Sequence, residues 1–246
     1  MNSALPVEEV YREVHDGETE AQIILLDAKS AFDKVIHTHM MRRVYQAGIE
    51  DKHWSLISSL HQNAASTIKW GGNISECFPV SLGVRQGGIL STDLYKLYVN
   101  PLLDRLENSN LGIRIGNITC NASACADDIA LMSTKEDDTQ VLINMAHDFA
   151  YMEGYELQPQ KSVALNLLSK THKKNNTNEC IFNIGNNVMP KVKQALHLGI
   201  IRTTSMKENV TLNVEENIKK ARRSAYGLFG GGFHRHNGPR NTGTPV

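Results

Sequence analysis

The sequence predicts an α+β fold: a mostly antiparallel sheet backed by helices on one face. Three observations lead there. Along the 246 residues the apolar patterns run strand, helices, hairpin, helix, strand pair, helix, strand, an order that fits one layer of sheet and one of helices. The spacing switches between short apolar runs and 3.6-residue periodicity at each step. No internal repeat and no linker interrupts this order before about residue 165.

Each element has its own signal. "AQIILLDAKSAFD" begins as a buried strand, Ile23 to Leu26, and reaches Asp27 at its end. "HTHMMRRVYQAG" is a helix with Met40, Met41, Val44 and Tyr45 inward and Gly48 as its stop. "DKHWSLISSLHQ" is a second helix, capped by Asp51, with Trp54, Ile57 and Leu60 on one face. "STIKWGGNISECFPV" is a hairpin turning at Gly71-Gly72-Asn73. "STDLYKLYVNPLLDRLE" is a longer helix with Ser91 as N-cap, kinked or divided at Pro101. "GIRIGNIT" and the segment around Asp127 are strands. "TQVLINMAHDFAYMEG" carries Val141, Leu142, Met145, Ala146, Phe149 and Met152 at helical spacing and stops at Gly154. "SVALNLL" returns to strand, and "SKTHKKNNTNE" is a polar, basic loop.

Composition narrows the class. Apolar content is 41%, ordinary for a globular protein. No apolar run approaches membrane-spanning length, so no membrane partner is expected. The acidic N-terminus "MNSALPVEEVYREVHDGE" has no signal-peptide core, which predicts an intracellular chain, cytoplasmic or nuclear. Cys77, Cys120, Cys125 and Cys180 are scattered without a CxxC pair, which predicts reduced thiols and no zinc site. The net charge of zero hides an asymmetry. Residues 1–160 hold 12 Lys and Arg against 22 Asp and Glu, a net of −10, and residues 161–246 hold 14 against 4, a net of +10. An acidic body with a basic tail points to a polyanion on the tail side. For the last stretch, "GGGFHRHNGPRNTGTPV", a solvated, disordered tail is the better reading.

"ACADDIALM" holds the strongest chemical signal: adjacent carboxylates, Asp127 and Asp128, inside an apolar run. Such burial is costly without a partner. The chain supplies a control in "KEDDTQ", where Asp137 and Asp138 sit among polar residues in the first turn of a helix and favour its dipole. Asp127 and Asp128 have no such setting. A hairpin tip accounts for them structurally; a bound cation accounts for their charge.

If the strand ending at Asp27 neighbours the Asp127 turn, three carboxylates converge. That set suits Mg²⁺, which takes few protein ligands and fills its shell with water and phosphates, and two such ions suit phosphoryl displacement. Paired acids alone also fit glycoside hydrolysis. "LGVRQGGIL" bears on the choice: Gly83, Gly87 and Gly88 let backbone approach a ligand, Gln86 can bond a base or sugar, and Arg85 can pair an anion. By itself this loop is also a plain turn before a helix.

Five stretches in order resemble the palm region of a reverse transcriptase of the non-LTR (LINE-type) retrotransposons. "LLDAKSAFDKV" resembles the family's first acidic motif, and "GVRQGGILSTDLYKLYVNPLL" its Arg-Gln-Gly motif and following helix. "CADDIALM" resembles the aromatic-Ala-Asp-Asp motif, "GYELQPQKSVAL" the next motif with its lysine, and "LHLGI" the Leu-Gly element of the primer grip. Together they run from residue 21 to about residue 200.

The resemblance implies a right-hand polymerase palm with partial fingers and the start of a thumb. It divides the chain into residues 1–200, palm with partial fingers, and 201–246, a basic thumb-like helix and tail. It implies an RNA-directed DNA polymerase acting with an RNA template, a DNA primer and dNTP, and two Mg²⁺ ions, with Mn²⁺ as a substitute. Asp27 and Asp127 would hold the metals with the carbonyl of Ala28, and Asp128 would be a third acid. Phe32 would be the steric gate against a ribose 2′-OH, although its position alone also suits core packing. Gln86 and Gly87 would contact the template–nucleotide pair, and Arg85 the phosphates. Lys161 would stand near the departing pyrophosphate as a general acid. Apart from the resemblance, the +10 balance after residue 160 points to nucleic acid binding by Lys219, Lys220, Arg222 and Arg223 on the basic tail helix. Four departures stand out: Cys125 replaces an aromatic residue, Thr92 the usual Pro, Gln158 the usual Asn, and only 26 residues precede Asp27. The last implies poor synthesis by this chain alone. The other reading is a catalytically inactive relic that keeps the fold and binds nucleic acid or a partner.

Overall fold

The computed structural model describes residues 3–17, 19–168 and 180–230. The expected loop at 169–179 and the tail from 231 onward lie outside them.

Helix α1 (Leu5–Asp16) opens the chain and strand β1 (Ala21–Leu26) follows. A 3-10 turn (Ala31–Lys34) leads to α2 (His37–Gln46) and α3 (Asp51–His61). Four two-residue strands come next: β2 (Ala65–Ser66), β3 (Lys69–Trp70), β4 (Asn73–Ile74) and β5 (Phe78–Pro79). They nest as an exposed hairpin, β2 with β5 and β3 with β4, turning at Gly71-Gly72. After α4 (Ser91–Asn108) come the hairpin of β6 (Ile113–Ile115) and β7 (Ile118–Cys120), then β8 (Ala122–Cys125) and β9 (Asp128–Ser133). α5 (Glu136–Met152), β10 (Val163–Leu167) and β11 (Asn183–Ile184) paired with β12 (Asn187–Val188) follow. The described chain ends with the hairpin of β13 (Gln194–His197) and β14 (Ile200–Thr203) and the long α6 (Met206–Gly230).

The central sheet has the order β10-β1-β9-β8 and is antiparallel throughout. All six residues of β1 are buried, because both sheet faces are covered. Ile24 and Leu26 face a core built with α2, α4 and α5. Ala21, Ile23 and Leu25 face Val7, Val10, Tyr11 and Val14 of α1. Helices therefore lie on both faces, not one. The signal was present: an unbroken apolar run marks a strand buried on both sides, and Val7, Val10, Tyr11 and Val14 keep helical spacing.

Several expected positions shift. Tyr45, Leu60, Val141 and Met152 are exposed. The buried stripe of α5 is instead Leu142, Ile143, Ala146, Phe149 and Ala150. Glu50, not Asp51, is the cap of α3, and Asp51 is its first residue, at φ 51°. Ser91 is the first residue of α4, and its hydroxyl donates to the Arg85 carbonyl at 2.5 Å. Pro101 lies inside α4 without dividing it.

A polar network is enclosed by this core. Arg43 of α2 pairs with Glu153 at the end of α5 and also donates to the Tyr98 carbonyl. The Tyr98 hydroxyl donates to the Glu153 carbonyl at 3.0 Å, and the Arg43 guanidinium lies 4.6 Å from the Tyr98 ring centre. The network ties α2, α4 and α5 together where hydrophobic packing alone would let them slide. Glu153→Ala leaves a buried arginine without its counter-charge and should destabilise the fold by about 3–5 kcal/mol, read as a lower urea midpoint. Arg43→Met with Glu153→Leu should recover much of that loss.

Candidate active site

The site is set by register. β1 pairs with β9 so that Leu26 lies opposite Ile129. That is the last pair, so Asp27 and Ala28 continue β1 just beyond it, beside the end of β9 where Asp127 and Asp128 precede Ile129. Asp127 lies in the two-residue turn between β8 and β9, closed by the pair Cys125 and Asp128. Ala126 holds φ 56°, a conformation that glycine adopts freely and alanine does not. Strain of this kind gathers at functional turns.

Electrostatics agrees with the register. Partial burial, then the charges of Asp127 and Asp27, push the Asp128 carboxyl above its ordinary range, although the residue as a whole stays exposed. Asp127 also reaches Tyr95, whose hydroxyl is pushed up by burial first, then by Tyr155, Asp127 and Tyr98.

The backbone of Ala28 is placed by its neighbours. Lys29 N–H donates to the Glu156 carbonyl and Gln158 N–H to the Asp27 carbonyl, at 2.9 and 2.8 Å, flanking an antiparallel bridge between Ala28 and Leu157. In such a pair the bridged residue's own N–H and C=O point away from the partner, here toward the β9 side. Two carboxylates and a carbonyl fit Mg²⁺, which needs only one or two protein carboxylates. Among the described residues no three His, Cys, Asp or Glu side chains form a ready metal cage, so the remaining positions would fall to water and phosphate.

Phe32 is partly buried and stacks on Tyr95, ring centres 4.5 Å apart at 18°. Its carbonyl accepts the Val84 N–H at 2.8 Å, and Val35 accepts Gly83 N–H at 2.8 Å. A Cβ at Gly83 would stand 2.9 Å from the Asp33 backbone, so only glycine lets the 83–88 loop dock beside Phe32. Arg85, Gln86 and Gly87 are exposed. An open cleft of about 880 Å³ is lined in part by Asp33, His37, His61, Arg85 and Gln86. Asp27, Asp127 and Asp128 lie outside its lining.

Lys161 is exposed on the turn that follows Gln158, and its N–H donates to the Gln158 carbonyl at 3.1 Å. That turn contains two residues sequence reasoning did not assign. The Gln158 side-chain amide donates to Asp27 Oδ2 at 2.6 Å, and the Ser162 hydroxyl accepts the Asp27 N–H at 3.0 Å. Lys219, Lys220, Arg222 and Arg223 are exposed on α6, which packs on β14 and α1 rather than on the strands that carry the acids.

Residues 6–201 match the model of the family described as reverse transcriptase (RNA-dependent DNA polymerase). A Pol polyprotein of the type-2 retrotransposable element R2DM of Drosophila melanogaster is 28% identical over 194 residues, covering 78% of this chain and 18% of its own length. An R2 Pol polyprotein of Popillia japonica is 28% identical over 144 residues, covering 58% of this chain and 24% of its own length. The chain thus spans about a fifth of the length of these relatives. Among solved structures, telomerase of Candida tropicalis truncated from its C-terminal domain superposes with TM-score 0.56 at 12% identity, over 82% of this chain and 37% of the other. The same telomerase with a fragment of telomeric RNA gives 0.57 at 12% identity, over 83% and 32%. At that identity the likeness is one of fold.

The raised Asp128 carboxyl sets a pH test. A folded-state pKa above the ordinary aspartate 3.8 means stability is greatest below that value and falls as pH rises through the folded pKa. Asp128→Asn should therefore raise the thermal midpoint at pH 7 in EDTA and by progressively less as pH falls well below the ordinary aspartate value, where the wild-type carboxyl is protonated in both states. Mg²⁺ should raise the wild-type midpoint more than the variant's.

Proposed function

The chain belongs to the reverse transcriptase (RNA-dependent DNA polymerase) family, with the non-LTR R2 elements as relatives, and from that premise we propose that it catalyses RNA-templated transfer of deoxynucleotides to a primer. The primer 3′-hydroxyl gives up its proton to solvent as its oxygen attacks the α-phosphorus of a dNTP, the bond between the α-phosphorus and the bridging oxygen breaks, and pyrophosphate leaves. The observation that carries this reading is the β1–β9 register, which sets Asp27 and Ala28 beside the Asp127-Asp128 turn.

On this reading Asp27 and Asp127 hold the two metal positions with the Ala28 carbonyl, and Asp128 adds negative charge beside them. Mg²⁺, or Mn²⁺ in its place, supplies charge stabilisation to the attacking and leaving oxygens when bound. Phe32, braced by Tyr95, closes the space a ribose 2′-OH would need. Arg85 pairs the phosphates, while Gln86 and Gly87 meet the template–nucleotide pair. Lys161 donates a proton to the leaving pyrophosphate. Lys219, Lys220, Arg222 and Arg223 neutralise duplex phosphates. Residues 1–200 would form the palm with partial fingers, and 201–246 the thumb-like unit. β14 starts at Ile200, so the junction would run along a hairpin.

Primer extension on an RNA template, by the chain joined to a family fingers segment, tests the proposal. Incorporation should require Mg²⁺ or Mn²⁺ and fall at least about a hundredfold in Asp127→Asn, since several kcal/mol of charge stabilisation would go. Undiminished synthesis by Asp127→Asn would overturn the assignment. RNA binding without incorporation would favour the relic reading. Phe32→Ala should lower the preference for dNTP over the ribonucleotide roughly tenfold or more, as expected when a pocket wall is removed.

A further inference from the structure

The turn 158–162 grips Asp27 at three separate atoms. Gln158 N–H donates to the Asp27 carbonyl at 2.8 Å, and the Ser162 hydroxyl, fully buried, accepts the Asp27 N–H at 3.0 Å. The Gln158 side-chain amide donates to Oδ2 at 2.6 Å. The turn is itself closed, with Lys161 and Ser162 N–H both donating to the Gln158 carbonyl, at 3.1 and 2.8 Å. The two main-chain grips fix where the Asp27 Cα stands. The third fixes the carboxylate's rotation about its own bond, which the backbone cannot do.

From this we infer that Gln158 is a positioning residue for Asp27: its amide engages Oδ2 and leaves Oδ1 to ligate metal alone. This rests on the proposal that Asp27 is a metal ligand. The consequence is chemical. Mg²⁺ and Mn²⁺ suit octahedral oxygen sites, and Mg²⁺ demands near-ideal geometry, whereas Ca²⁺ accepts bidentate carboxylates in a looser shell. A carboxylate with one oxygen already engaged favours the smaller ions. Without the amide, Asp27 can rotate and offer both oxygens. A partner that orients a ligating carboxylate commonly accounts for 10–100-fold in metal affinity. The substitution of Gln for the family's usual Asn therefore leaves an amide at this place, with one more methylene of reach.

The test is metal binding by the full chain, independent of polymerisation. Mn²⁺ affinity is read by electron paramagnetic resonance titration, and Ca²⁺ affinity by competition. Gln158→Met retains the main-chain bonds and the side-chain length but not the donor. It should weaken Mn²⁺ about tenfold or more and Ca²⁺ by less, narrowing the preference between them, with the thermal midpoint in EDTA unchanged. Gln158→Asn, one methylene shorter with the amide kept, should shift the preference in the same sense by less. Equal loss of both ions, or no loss of either, would overturn the positioning role. Asp27→Asn is the separate control: if it leaves Mn²⁺ binding intact, the metal-site proposal fails, whatever Gln158 does.

Discussion

The pairing of β1 with β9 is the constraint from which the rest of the molecule follows. Side chains alternate across a strand, so a slip of one residue in that pairing would exchange the faces of an entire strand. Here a slip would drive Ile24 and Leu26 out of the core shared with α2, α4 and α5 and into the one shared with α1. The same slip would carry Asp27 off its place beside the Asp127-Asp128 turn. One hydrophobic pattern thus fixes both the core and the site, with no separate device needed to bring residues a hundred positions apart together.

Around that pairing the structure deploys two kinds of charge. Arg43 and Glu153 are buried as a matched pair between helices, where they specify how α2, α4 and α5 meet. Asp27, Asp127 and Asp128 lie unmatched near the ends of strands, and the Asp128 carboxyl is raised first by its partial burial and then by the charges of Asp127 and Asp27. The first arrangement cancels charge to fix a geometry. The second preserves uncancelled charge at a place that solvent can reach.

Much of this was legible in the residues. Continuous apolar runs marked β1 and the strand after Asp127, and glycine stops marked the ends of α2 and α5. The misplaced acids in "ACADDIALM" pointed to their turn, and the glycines of "LGVRQGGIL" to a close approach, which Gly83 makes against Asp33. The face of a long helix was harder to read, because 3.6-residue spacing leaves neighbouring stripes nearly equivalent: on α5 the core selected Ile143 and Ala150 over Val141 and Met152. α1 was masked by its charge: Val7, Val10, Tyr11 and Val14 keep helical spacing inside an acidic stretch. Gln158 stood out only as a departure from the usual Asn; its contact could not be read, since its partner lies 131 residues away and nothing local distinguishes a glutamine that meets Asp27 from one in water.

The rigidity of the acids matters as much as their number. Repelled carboxylates on flexible loops would swing apart, and the energy of their repulsion would be lost to motion before any ligand arrived. Neither acid has that freedom here. Asp27 is held at its N–H, its carbonyl and one carboxyl oxygen by a single closed turn. Asp127 sits in a two-residue turn whose first position, Ala126, is already in a disfavoured conformation. The repulsion is therefore retained in the folded chain, and a cation entering between the strands would release it. The hydrophobic core on both sheet faces supplies the stability that holding such a site open requires. In this fold, affinity for a metal would come less from adding ligands than from preventing the few that exist from moving away.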